Sequence, residues 1–205
     1  MIIFELIGIV VATFIVCITV LLILYTFIVK KSESYIAADN MPVLKPMPIP
    51  TKNRTVFRRI LVWIFEVRKW ELVENWYFVL EDGVRIIINK GFIFDGASIP
   101  RSLWALLSPV GLLLIPGLIH DYGYKFDLLW QVKENGTVTQ YLNKSSRKRW
   151  DDLFRSVGRQ VNGFSVIDSL AWLGLRFGGF IAWKKHRINN EIPEKPVIAG
   201  KILNL

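Results

Sequence analysis

Residues 70–100 read WELVENWYFVLEDGVRIIINKGFIFDGASIP. Aromatic and β-branched residues fill Trp76–Leu80 and Val84–Ile88. Glu81-Asp82-Gly83 between them is a turn, because Asp-Gly tolerates the positive φ of tight hairpins. The spacing predicts two strands joined as a hairpin and a third short strand ending at Phe94. Asp95-Gly96 then breaks the pattern. Ser98 and Pro100 suit a helix start, Ser as cap and Pro in the first turn, and that helix would carry Trp104 and Leu107.

Further along, Gly111–Tyr124 is mostly apolar and reads as a buried helix interrupted near Pro116-Gly117. His120 and Tyr124 are four apart and share a face, with Asp121 about 100° round from His120. A second hairpin is expected at Glu134-Asn135-Gly136. Ser145 or Ser146 caps a helix running to about Val161, which sets Arg147 and Asp151 four apart on one face. The run SVIDSLAWLGLRFGGFIAW, residues 165–183, is a last apolar helix ending in the basic KKHR. The fold class is α+β: a small antiparallel sheet of hairpins packed with about four helices, preceded by one transmembrane helix.

That transmembrane helix is expected from Leu6–Val29, 24 residues without a charge. At about 1.5 Å per residue such a helix covers roughly 36 Å, enough to cross a hydrocarbon core with some tilt. No Lys or Arg precedes the run and no small-residue cleavage site closes it, unlike a signal peptide. Lys30 and Lys31 follow, so the positive-inside rule puts the N-terminus out and the rest on the cytoplasmic or interior side. The organisation expected is an anchor over 1–31, a Pro-rich linker over 32–54, an α+β domain over 55–190 and a tail over 191–205. In the linker, four prolines in NMPVLKPMPIP (40–50) argue against helix and sheet. The stretch VFRRILVWIFEVRKW that follows is an amphipathic core helix, an edge strand or a lipid-facing element. In the last case Arg58, Arg59, Arg68 and Lys69 would reach lipid phosphates.

The chain has 205 residues, 52% hydrophobic, and a net charge of +9. The charge suits anionic partners such as lipid headgroups. No nucleic-acid motif accompanies it. Cys17 is the one cysteine, so an intrachain disulfide is excluded. Ser98 lacks the strand-to-helix elbow of a serine nucleophile, and no phosphate-binding glycine loop is present.

The pattern GF-x-FDGASIPR-x-LW, then HD-x-x-Y, then Arg147 and Asp-x-x-Phe, resembles the DUF1353 family over roughly Trp70–Trp183. These are small proteins of unknown function, widespread in phage and prophage genomes. The resemblance puts the family's turn aspartate on Asp95, its His-Asp pair on His120 and Asp121, its tyrosine on Tyr124 and its later acid on Asp151. The expected candidate site is therefore Asp95, His120, Asp121 and Asp151, supported by Ser98, Tyr124 and Arg147. Histidine with carboxylates suits a divalent metal, or a general base with its orienting carboxylate. The same residues also suit a satisfied structural cluster. Two functions follow. One is a non-catalytic component of a virion internal membrane or of an infected host's inner membrane, among other virion or membrane proteins. The other is a membrane-tethered hydrolase of cell-envelope or phosphoester substrates. Alkaline carbonate extraction should leave the full-length chain in the membrane pellet; its release would rule the anchor out.

Overall fold

Ile86, Ile87 and Ile88 are all fully buried, so the strand they form is covered on both faces. This is β4 (Arg85–Ile88), and it lies inside a four-stranded sheet with β3 (Trp76–Val79), β6 (Leu129–Val132) and β7 (Val138–Tyr141). The order is β3-β4-β6-β7 and every pairing is antiparallel. Phe78 lies opposite Ile86, and Ile87 opposite Trp130. The two expected hairpin turns are present. Gly83 takes φ +81° and Gly136 φ +77°. Asp82 Oδ1 and Asn135 Oδ1 accept from the amides of Val84 (3.1 Å) and Thr137 (3.0 Å).

The structure, a computed structural model, describes residues 12–21, 23, 35–37, 40–96 and 111–198. It divides into two units, Met1–Ser34 and Tyr35–Leu205. In the first, α1 (Ala12–Leu21) is a short apolar helix. Among the described residues no single helix is long and apolar enough to cross a membrane.

The second unit is α+β, as expected, but it holds two sheets rather than one. The second sheet has three strands, β1 (Leu44–Pro46), β2 (Trp70–Leu72) and β5 (Ile93–Phe94), in the order β1-β2-β5. Both edges of β4 are already taken by β3 and β6, so the chain leaving β4 cannot pair back onto it. Gly91, at φ +78°, turns it away, and β5 pairs with β2, Trp70 opposite Phe94. The expectation that prolines keep 40–50 out of any sheet is corrected by β1. It is an outer strand with Pro46 at its end, where a missing N–H need not cost a ladder bond. Ile36 joins the core as well, so residues placed in the linker contribute to this unit.

The helices of this unit are α2 (Val56–Phe65), α3 (Leu114–Phe126), α4 (Arg147–Asn162), α5 (Ser165–Gly178) and α6 (Phe180–Asn189). With α1 that makes six among the described residues, against about four and an anchor expected. Part of the excess comes from the 165–183 run. It is bent by 60° between α5 and α6, and the junction holds glycine, since a Cβ on Gly179 would meet Leu175 O and the Tyr124 hydroxyl, both at 2.7 Å. The expected break at Pro116-Gly117 does not occur. Pro116 sits in the first turn of α3, where an N–H has no helical partner in any case. Ser146 caps α4, accepting from the Arg149 amide. The helix expected after Ser98, with Trp104 and Leu107, lies outside the described residues.

The α3–α4 contact is close because Gly123 has no side chain: a Cβ there would overlap the ring of fully buried Trp150. Gly123→Ala should cost about 1–3 kcal/mol as overpacking, a Tm lower by roughly 2–12 °C in thermal melts. Gly174→Ala, in open space, should leave Tm unchanged or raise it.

Candidate functional site

One turn of α3 carries His120, Asp121 and Tyr124, and one turn into α4 stands Asp151. The Asp151 side chain is fully buried and His120 is only 3% exposed. An ionised carboxylate at such a place is costly unless its oxygens are bonded. Here both are. Oδ1 accepts from the Tyr124 hydroxyl and lies 3.3 Å from His120 Nε2. Oδ2 accepts from Arg176 Nη1 at 3.0 Å, with Arg147 Nη1 at 3.8 Å. Arg147 is held in turn by the carbonyls of Leu175 and Arg176. Three helices, α3, α4 and α5, thus meet on one carboxylate.

The other ring nitrogen of His120, Nδ1, faces Asp121 Oδ1 at 3.5 Å. Asp121 is 19% exposed at its side chain, so the cluster runs from buried Asp151 outward through His120 to a partly exposed acid. Asp95, half-buried just after β5, is near enough to Asp121 for its charge to act on that group. Asp121 Oδ2 is buried and finds no donor among the described residues.

The ionisation of each group follows from its surroundings. Burial opposes the Asp151 carboxylate, but the bonds from His120, Tyr124 and Arg176 outweigh it and hold its pKa below the usual value. Burial likewise opposes the His120 imidazolium, and the two flanking aspartates outweigh it and raise that pKa. Asp121 goes the other way. Burial first, then the nearby Asp95, push it up to about 7 against the pull of His120. The Tyr124 hydroxyl is raised well above its ordinary range by burial and by Asp151, so it remains a donor.

Asp95, His120, Asp121, Asp151, Tyr124 and Arg147 are thus brought together. Ser98 lies outside the described residues. The metal reading does not fit the donor set. Both His120 nitrogens already face carboxylates, and among the described residues no three His, Cys, Asp or Glu side chains are placed to hold an ion. The sequence set Arg147 on the same face as Asp151 as a supporting residue, and in the structure Arg176 is the closer partner of Asp151. Its signal was available: Arg176 is the one basic residue in the apolar run 165–183.

The family described as "Protein of unknown function (DUF1353)" matches residues 70–175, just over half of the chain, and the chain belongs to it. No curated protein and no solved structure matches. The matched span contains β2 to β7, α3, α4 and most of α5, and with them Asp95, His120, Asp121 and Asp151.

The pKa directions fix the pH dependence of stability. Asp121 is raised from 3.8 to about 7 on folding, so the stability drawn from its protonation is full below about 4 and lost as pH rises to 7. His120, also raised, contributes stability that is full below about 6.5 and lost as pH rises through its folded pKa. Tm should therefore fall as pH rises through neutrality, and Asp121→Asn should flatten that fall between pH 4 and 7. An unchanged slope in the variant, measured by thermal melts across that range, would contradict this reading of Asp121.

Proposed function

We propose that this protein is a membrane-held hydrolase whose Asp95–Asp121 carboxyl pair does general acid–base chemistry. The carrying observation is the chain Asp121–His120–Asp151–Arg176, which runs from a partly exposed acid inward to a fully buried one, with Asp95 beside its outer end. Asp121, pushed up to about 7 by burial and by neighbouring Asp95, can both accept and give a proton near neutrality. Its carboxylate takes a proton from water as the water oxygen attacks an electrophilic carbon or phosphorus. It then gives that proton to the departing oxygen, with Asp95 beside it. His120 and Asp151 are positioning residues: they fix the Asp121 carboxyl and set its charge balance.

The membrane part of the proposal rests on the 24 uncharged residues of 6–29, followed by Lys30 and Lys31. The helical apolar stretch Ala12–Leu21 falls inside that run. It is also supported by α2, where Val56 (72%), Phe57 (69%) and Ile60 (46%) are exposed beside Arg58 and Arg59. An ordinary core helix would bury those positions. On this proposal the N-terminus is out, the domain lies on the cytoplasmic or interior side, and the substrate is a cell-envelope polymer or a phosphoester.

A second reading, the non-catalytic component of a phage-type or host membrane, is favoured by one observation. Asp151 is saturated by partners from three helices, as a structural cross-link would be.

Full-length protein in detergent should be assayed with labelled peptidoglycan and with carboxylic and phosphodiester chromogens. Asp121→Asn should lower kcat by about 10²- to 10⁴-fold, the usual worth of a general acid–base group, without lowering Tm. The wild-type pH–rate profile should carry a limb near 7. Turnover retained in Asp121→Asn would overturn the acid-pair assignment. No turnover in any class, with the protein recovered in purified membrane-containing virions, would favour the second reading.

A further inference from the structure

We propose that the bend between α5 and α6 is a docking surface that seats on an anionic lipid bilayer. The inference uses residues outside the acid pair and rests in part on the reading of the chain as membrane-held.

On α5, Val166, Leu170, Leu173 and Phe177 are exposed at steps of four, three and four, which places them on one helical face. The stripe continues past the bend into Phe180 and Ile181. Phe177 is 79% exposed and Ile181 67%. Large apolar side chains clustered on one surface in this way mark an interaction site.

The opposite side of α6 is fixed to the domain. Arg187 Nη2 donates to the carbonyls of Tyr124 (2.6 Å) and Lys125 (3.0 Å), and its Nη1 pairs with Asp127 Oδ2 at 2.9 Å. The Trp183 ring packs edge-on against Tyr124. On α5, Arg176 is held by Asp151, and Asp168 is buried with Asn162. Together the bent pair is long and apolar enough to cross a membrane. These inward polar ties oppose a full crossing and favour shallow seating of the outer stripe.

Charge selects the partner. Lys184 and Lys185 are exposed and lie between Ile181 and Ile188, itself 83% exposed. Lysine stems lie along an apolar surface while their ammonium groups reach outward, which suits lipid phosphates. A second copy related by a two-fold axis would meet the same patch and set these lysines against lysines. A stripe bent by 60° also fits a straight partner helix poorly. The family match ends at Leu175, so Phe177, Phe180, Ile181 and both lysines lie beyond it.

The test uses the full chain with Cys17→Ser, reconstituted in phosphatidylcholine vesicles with and without phosphatidylglycerol. A polarity-sensitive fluorophore is attached at Phe177→Cys, at Ile181→Cys or, as a control on the β6–β7 turn, at Lys133→Cys. All three positions are exposed, so the core is untouched. Labels at 177 and 181 should shift to the blue and lose quenching by aqueous iodide in the anionic vesicles, while the label at 133 stays quenched. Lys184→Glu with Lys185→Glu should restore the quenching. Labels at 177 and 181 as quenchable as at 133 would overturn the proposal. So would protection that ignores phosphatidylglycerol and grows with protein density, since that reports a second copy. Carbonate extraction reports the N-terminal segment separately, so loss of the anchor and loss of the docking surface are distinguishable.

Discussion

The carboxylate of Asp151 is the constraint around which the helical half of the domain is arranged. It has no exposure to water, and four side chains on three helices surround it: His120 and Tyr124 from α3, Arg147 from α4 itself and Arg176 from α5. A buried charge of this kind adds little net stability over an apolar residue, but removing its partners leaves it stranded at several kcal/mol. It therefore acts as a register pin. In this placement of α3, α4 and α5 both oxygens are satisfied. The glycines fit the same demand. Gly123 lets Trp150 lie flat on α3, and Gly158 leaves room for the Asp168 carboxyl.

That pin has a chemical consequence at its outer end. Asp121 and Asp151 flank the His120 ring and together raise its pKa against burial. Asp121 faces that ring on one side and Asp95 on the other, and burial with the second carboxyl pushes it up to about 7. The inner aspartate is driven toward ionisation and the outer one toward its protonated form, although they flank the same ring. Opposed environments for neighbouring acids are what general acid–base chemistry requires.

The bend at Gly178-Gly179 links the cluster to the surface. Tyr124 donates to Asp151, and its hydroxyl occupies the space that a Cβ on residue 179 would need. The tyrosine that completes the buried cluster therefore also restricts position 179 to glycine. The apolar side chains left outside by that geometry cannot turn inward, because the inner positions are filled by Trp183, Arg187 and Arg176.

The sequence by itself determined the local elements. Asp-Gly and Asn-Gly placed both hairpins, Ser146 placed the start of α4, and the i, i+4 spacing placed Arg147 beside Asp151. The residues of the polar cluster were named by the resemblance to DUF1353, and only His120 and Asp121 stood out on their own, as polar residues in an apolar run. What the sequence left open was set by long-range competition for edges and space. Whether β5 joined the first sheet depended on β4 having both edges occupied, a fact about strands far apart in sequence. Pro46 fitted a strand only because that strand is outermost. Arg176 displaced Arg147 as the main partner of Asp151 because α5 folds back over α4. The need for glycine at 179 came from the Tyr124 hydroxyl, more than fifty residues away in sequence. Turn and cap signals act within a few residues, so they survive in the sequence. Pairing, steric exclusion and charge balance arise between distant segments, so only the tertiary structure decided them.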